Sequence, residues 1–218
     1  MHTVKLVGTE TSFDVRKIVC LARNYADHVR ELGNEAPDAP ILFLKPGTSL
    51  VEEGEKVVVP PYSQLCHHEV ELAVLIGKAG KEIPEGEAMT HVAGYGIGLD
   101  MTLRDVQNEL KSKGLPWEMA KAFDTSCPLS QFVPTSRISD PHSLDISLKV
   151  NGEVRQNGNT SMMTRSIPAI IRAVSEIFTL EPGDVILTGT PAGVGAVESG
   201  DLMTAEIEGI GILEVGVA

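Results

Sequence analysis

The sequence predicts an α+β domain in which β-structure dominates. Three observations carry that prediction. Short runs of apolar and β-branched residues recur along most of the chain, Gly and Pro punctuate them, and only three segments keep helical spacing. With 218 residues, 42% hydrophobic and 22% charged, the chain is long enough for one such domain with a substantial core. No repeat, low-complexity tract or linker divides it, so a single domain over 1–218 is expected, with 1–16 as a short N-terminal segment.

The strands are read, in order, as KIVCLA, PILFLKP, EKVVVPP, VELAVLIG, VAGYGIGLD, ISLKVNGEVRQNG, GDVILTG and LMTAEIEGIGILEVGV. Inside the sixth, Asn151-Gly152 signals a hairpin, because both residue types tolerate the positive φ of a tight turn. The first helix, NYADHVRELG, takes Asn24 as its cap and Gly33 as its stop, with Tyr25, Val29 and Leu32 at helical spacing. The second, TLRDVQNELKSKG, takes Thr102 as N-cap with Asp105 three residues on, a stripe of Leu103, Val106 and Leu110, and Gly114 as stop. The third, IPAIIRAVSEIFTLEPG, has Pro168 early and Ile171, Val174, Ile177 and Phe178 along one face.

The net charge of -12 and the absence of basic clusters argue against nucleic acid as a partner, because phosphate binding rests on positive charge. Cys20, Cys66 and Cys127 are odd in number and far apart, which fits free thiols in a reducing compartment and not a disulfide framework or a zinc site. The start has no apolar signal core and no run of about eighteen apolar residues occurs, so a cytoplasmic protein away from membranes is expected.

In QLCHHEVELAVLIG, Glu69 and Glu71 are two residues apart, and in a strand they share one face. That face continues as Ala73 and Leu75, so the acids read as a polar island at one end of a buried strand; a solvated outer face is the competing reading. Asp100, at the end of the Gly-rich run HVAGYGIGLD, is the best candidate for a third carboxylate. Three carboxylates suit a hard cation, Mg2+ or Mn2+, with Ca2+ also compatible. His67 and His68 are expected to support or pack, not ligate. Glycines 94, 96 and 98 lack the G-x-G-x-x-G spacing of a dinucleotide loop.

TGTPAGVG, residues 188–195, could bring backbone N–H groups and the Thr190 hydroxyl to a carboxylate or oxyanion, or be a plain turn. His28 and Glu31, three apart on the first helix, could form a general-base pair or an exposed salt bridge. On the second helix Arg104 and Gln107 could hold an anionic substrate, and Lys111 is expected to be solvated.

Together RNYADHVRELG, PILFLKP, HHEVELAVLIG, GYGIGLDMTLRDVQNELKSKGLPWEMAKAFDTSCPLS and VILTGTPAGVG resemble, in order and from Lys17 to the C-terminus, the fumarylacetoacetate hydrolase family. The nearest branch is that of small acylpyruvate hydrolases and oxaloacetate decarboxylases. The resemblance implies a mixed β-sandwich or roll with a few short helices, usually a homodimer. It implies Mg2+ or Mn2+ on Glu69, Glu71 and Asp100, and a lid-borne water-activating pair of His28 and Glu31. Lys121 of EMAKAFD would lie near the substrate, with Arg23, Arg104, Gln107 and Thr190 at substrate-contacting positions.

The activity implied is cleavage of the C–C bond of acylpyruvates, such as fumarylpyruvate or acetylpyruvate, to pyruvate and a carboxylic acid, with oxaloacetate decarboxylation beside it. Keto–enol tautomerisation of oxaloacetate, or isomerisation or decarboxylation of unsaturated 2-oxo dicarboxylates, is the alternative. A non-catalytic 2-oxo acid binder is the remote one. Closure of the NYADHVRELG helix is expected, with mobile GNEAPDAP beside it.

Overall fold

A computed structural model describes residues 2–33, 35, 37–51 and 54–218. An antiparallel pair, β1 (Thr3–Lys5) and β2 (Ser12–Asp14), is followed by β3 (Lys17–Ala22), α1 (Ala26–Glu31), β4 (Ile41–Pro46) and β5 (Leu50–Val51). Next come β6 (Cys66–His68), β7 (Val70–Ile76), β8 (Val92–Leu99), β9 (Thr102–Leu103), α2 (Arg104–Ser112), α3 (Glu118–Lys121), β10 (Cys127–Pro128) and β11 (Val133–Pro134). The chain ends with β12 (Asp145–Val150), β13 (Glu153–Asn159), α4 (Ile167–Ile177), β14 (Val185–Leu187), β15 (Gly195–Val197), β16 (Leu202–Ile207) and β17 (Gly211–Gly216). The architecture is mixed α+β and strand-rich.

The central sheet has six strands in the order β11-β8-β7-β14-β3-β4, with β14 and β3 parallel and the other pairs antiparallel. β7 is buried along its whole length because apolar packing covers both faces. Val70, Leu72, Val74 and Ile76 belong to the larger core, which α4 and the β13-β12-β16-β17 sheet complete. Ala73 and Leu75 belong to a second core with Ile18, Cys20, Val185 and Leu187. A third sheet, β15-β6-β9, meets the central one where β6 gives way to β7.

The Asn151-Gly152 hairpin forms as expected, with φ of 50° and 83°. On its second strand Leu148 pairs with Gln156 while Lys149 pairs with Val154, so Arg155 is an extra, bulged residue.

Several local expectations are corrected. Asn24 does not cap α1; it is buried, and its amide bonds the Thr188 and Arg165 carbonyls and Thr164 Oγ1. Thr102 is a β9 residue whose hydroxyl donates to the Asp100 carbonyl. EKVVVPP is not a strand, since only Val57 bridges, to Val217. Ile177 is 58% exposed, while Ile167, Ile170, Ile171 and Val174 carry the buried face of α4, which Ser166 caps through Ala169 N–H. Gly96 and Gly98 serve packing, because a Cβ would press on Phe132 and Leu187. In GNEAPDAP, residues 34 and 36 lie outside the described residues.

Candidate active site

The cleft forms where the β6–β7 junction, the end of β8, α2, α3 and the 188–195 loop converge beneath α1. Glu69 is not within a strand, contrary to expectation; it is the single residue between β6 and β7. Its carbonyl accepts from Asp100 N–H at 2.8 Å, so the Val70–Leu99 register sets the two acids side by side. Glu71 points from the β7 face that continues as Ala73 and Leu75. The polar island therefore exists: carboxylate oxygens of Glu69, Glu71 and Asp100 all lie within 4.8 Å of one another, and all three residues are buried.

Cations surround this triad unequally. Lys121 Nζ donates to Glu69 Oε2 at 2.8 Å, Asp100 Oδ2 at 2.6 Å and Thr102 Oγ1 at 2.6 Å. Arg104 Nη2 pairs with Glu69 Oε1, its Nη1 donates to Gln107 Oε1 at 2.6 Å and its Nε to His67 Nδ1 at 3.3 Å. The guanidinium thus serves protein groups and leaves the Gln107 amide nitrogen as a donor for the cleft. Burial opposes the charge on Glu69, but Lys121 and Arg104 outweigh it and hold its pKa well below the usual carboxylate range. Burial opposes the charge on Lys121 too, but Asp100 and Glu69 prevail and raise its pKa, so it is an ammonium donor and not a base. Burial and Arg104 push His67 down to about 4, keeping it a neutral acceptor.

Glu71 has no cation partner among the described residues; Gly189 N–H donates to its Oε2 at 2.6 Å. Burial and the charges of Asp100 and Glu69 raise its pKa well above the ordinary value. A dry carboxylate without a countercharge, beside two others, is the chemistry of a divalent-cation site with hard oxygen donors. The residues present therefore fit Mg2+ or Mn2+.

His28 Nδ1 lies 3.3 Å from Glu31 Oε2, and Glu31 Oε1 accepts from Gly193 N–H at 3.0 Å. The 188–195 loop thus aims backbone donors at two of the protein's own acids. Arg23, His28, Arg104, Gln107, Lys111, Lys121 and Thr190 all line the cleft with the triad, so every residue expected at the site is there except Glu31, which stands behind His28. Lys111 is half-buried in the cleft wall and not simply solvated.

Two contributors escaped the sequence reading. Lys45 is fully buried on β4, 2.9 Å from Asp100 Oδ1, and donates to Ser126 O at 3.0 Å, Ser126 Oγ at 3.1 Å and Met101 O at 3.3 Å. Its signal was parity, since Lys45 shares the inward face with Phe43. Gln156 is fully buried and bonds Thr190 Oγ1 at 2.7 Å. It carried no signal, because the bulge at Arg155 shifts the alternation.

The fumarylacetoacetate (FAA) hydrolase C-terminal family model matches residues 17–218. The chain is 57% identical over 195 residues to oxaloacetate tautomerase FAHD1, mitochondrial, of Bos taurus, covering 89% of this chain and 88% of that protein. It is 47% identical over 203 residues to oxaloacetate tautomerase YcgM of Escherichia coli K12, covering 93% of each. Among solved structures, fumarylpyruvate hydrolase from Pseudomonas aeruginosa in complex with Mn2+ and pyruvate superposes with a TM-score of 0.94 at 40% identity, over 99% of this chain and 95% of that one. With this fold, this acidic triad and a family match over nearly its whole length, the chain belongs to the fumarylacetoacetate hydrolase family.

Proposed function

We propose that the protein is a divalent-metal-dependent enzyme acting on small 2-oxo acids through their enol or enolate, and that keto–enol interconversion of oxaloacetate is the reaction its cleft supports best. The observation that carries this reading is the wall of the cleft, where Arg23, Arg104, Lys111 and Lys121 stand around the three acids. Once those acids are committed to a dication, this cationic wall suits the carboxylates of a small 2-oxo acid, a class that includes oxaloacetate and fumarylpyruvate. Within that class, the names of the relatives at 57% and 47% identity favour the keto–enol interconversion of oxaloacetate.

Glu69, Glu71 and Asp100 would hold Mg2+ or Mn2+, which supplies a Lewis acid for the negative charge of an enolate. The Gln107 amide and the Thr190 hydroxyl bind substrate oxygens, and Arg104 orients Gln107. Lys121 sets its ammonium beside the developing enolate oxygen. His28, held through Nδ1 by Glu31, offers Nε2 as the carrier that moves a proton between the substrate's carbon and its enol oxygen. Arg23 and Lys111 complete the charged wall.

Hydrolysis of acylpyruvates is the second reading. The same His28–Glu31 pair can deprotonate water, and the likeness to fumarylpyruvate hydrolase favours it. A homodimer is proposed from the family resemblance alone. Three buried, free cysteines support a reducing compartment, the cytoplasm being the simplest. Among the described residues no helix is long and apolar enough to cross a membrane.

The deciding experiment follows ultraviolet absorbance with Mg2+ or Mn2+ on enol oxaloacetate, acetylpyruvate and fumarylpyruvate in parallel, with coupled pyruvate detection. Enol loss without pyruvate establishes the tautomerase. Metal-dependent loss of a diketo acid with pyruvate released establishes the hydrolase instead. His28→Ala is expected to lower the observed reaction by about 10²–10⁴-fold while metal affinity holds. Undiminished turnover in that variant would take the pair out of the mechanism.

A further inference from the structure

Gln156 sits on β13 in the C-terminal hairpin, yet its amide lies deep beneath the cleft because the bulge at Arg155 turns it inward. Every bonding position of that amide is filled. Its Oε1 accepts from Val70 N–H at 3.0 Å and lies 3.0 Å from His68 Nδ1. Its Nε2 donates to the Pro191 carbonyl at 2.9 Å and to Thr190 Oγ1 at 2.7 Å. The two backbone partners decide which end is oxygen, since an N–H requires an acceptor and a carbonyl requires a donor.

Thr190 Oγ1 therefore accepts a hydrogen bond from Gln156 Nε2, and its own O–H must donate elsewhere. Among the described residues it finds no acceptor in the protein. Thr190 is only 2% exposed, and it lines the cleft beside Glu71, Gly189 and Lys121. The proton is left for whatever occupies the cleft.

We infer that Gln156 is a positioning residue that makes the Thr190 hydroxyl a hydrogen-bond donor into the cleft, matched to an anionic oxygen of the substrate. The inference rests on the reading of the cleft as a 2-oxo acid site. Through Val70, which lies between Glu69 and Glu71, the same amide also ties the acidic triad to the 188–195 loop.

The test is a double-mutant cycle read by calorimetric binding of pyruvate to the Mg2+-loaded protein. Gln156→Glu still accepts from Val70 N–H but cannot donate to Thr190, whose proton then turns toward the introduced carboxylate and away from the cleft. Thr190→Val and Gln156→Glu are each expected to weaken pyruvate binding about tenfold, as loss of one bond to a charged group does. The double variant should be no weaker than Thr190→Val alone. Thr190→Ser should restore binding, and KM for the turned-over substrate should rise more than kcat falls.

An equal loss from Gln156→Glu in both Thr190 backgrounds would reduce its role to folding or charge and overturn the inference. So would a silent Gln156→Glu beside a damaging Thr190→Val, with the 2-oxo acid reading intact. A Thr190→Val that leaves pyruvate binding unchanged would overturn both. Should Gln156→Glu not fold, Gln156→Met runs the same cycle without adding charge and must show the same dependence on Thr190.

Discussion

Glu71 and Glu69 are the same residue type two positions apart, yet their surroundings drive them in opposite directions. Lys121 and Arg104 keep Glu69 ionised against its burial, whereas burial, Asp100 and Glu69 raise the pKa of Glu71 and outweigh the opposing Gly189 N–H bond and the Lys121 charge. A carboxyl whose folded pKa is raised adds stability below its unfolded pKa and loses it as pH rises through the folded value, so below that raised pKa the metal-free protein holds a proton there that an arriving ion must displace. Mg2+ or Mn2+ affinity is therefore expected to fall about tenfold per pH unit once pH drops below the raised pKa of Glu71, with a proton released on binding. Calorimetry in buffers of different ionisation enthalpy reads that proton. A pH-independent affinity, or an unchanged slope in Glu71→Gln, would contradict this assignment. Lys45 works beneath the same site, its ammonium fixed against Asp100 Oδ1 by Ser126 and Met101.

At the scale of elements, α1 is a single short helix whose proposed role in turnover depends on a distant loop. Glu31 is anchored by Gly193 N–H, and Gly193 adopts φ +100° with its α-carbon packed against the Arg155 carbonyl of the bulge. Gly193→Ala is both strained and crowded, so it should cost at least about 1 kcal/mol in chemical denaturation. It should also lower kcat while leaving metal affinity near the parent value, because it disturbs the His28–Glu31 pair and not the triad. A variant with parental kcat would mean the anchor plays no part in turnover. The same dependence on distant partners explains the failed caps. Asn24 and Thr102 have the right chemistry for helix starts, but Asn24 instead satisfies the Thr188 and Arg165 carbonyls and Thr102 accepts from Lys121.

For the whole molecule, the six-stranded sheet with apolar packing on both faces holds a cluster of carboxylates that is costly to keep ionised without an ion. Metal loading should consequently stabilise the fold. At an ion concentration one hundred times Kd the gain is about 2.7 kcal/mol, and for a chain of this size that raises Tm by roughly 5–10 °C over the chelator-treated protein. Differential scanning with and without EDTA measures it. Equal Tm values would mean that no ion stabilises the fold, and a rise that persists in Glu71→Gln would assign the ion to other ligands.

By itself, the sequence determined the strand-rich class, the Asn151-Gly152 hairpin, the helices near α1, α2 and α4, and the residue types of the site. Each of these rests on local spacing: alternation that turned apolar after Glu71, positive-φ residues at a turn, an acid at a strand end. Only the tertiary structure decided which groups share a proton or a charge. Lys45 meets Asp100 from fifty-five positions away, and Gln156 meets Thr190 across thirty-four, at points set by sheet register and one bulge. Such pairs leave no trace in local periodicity, because burial and hydrogen bonding are settled by what the fold places opposite each side chain.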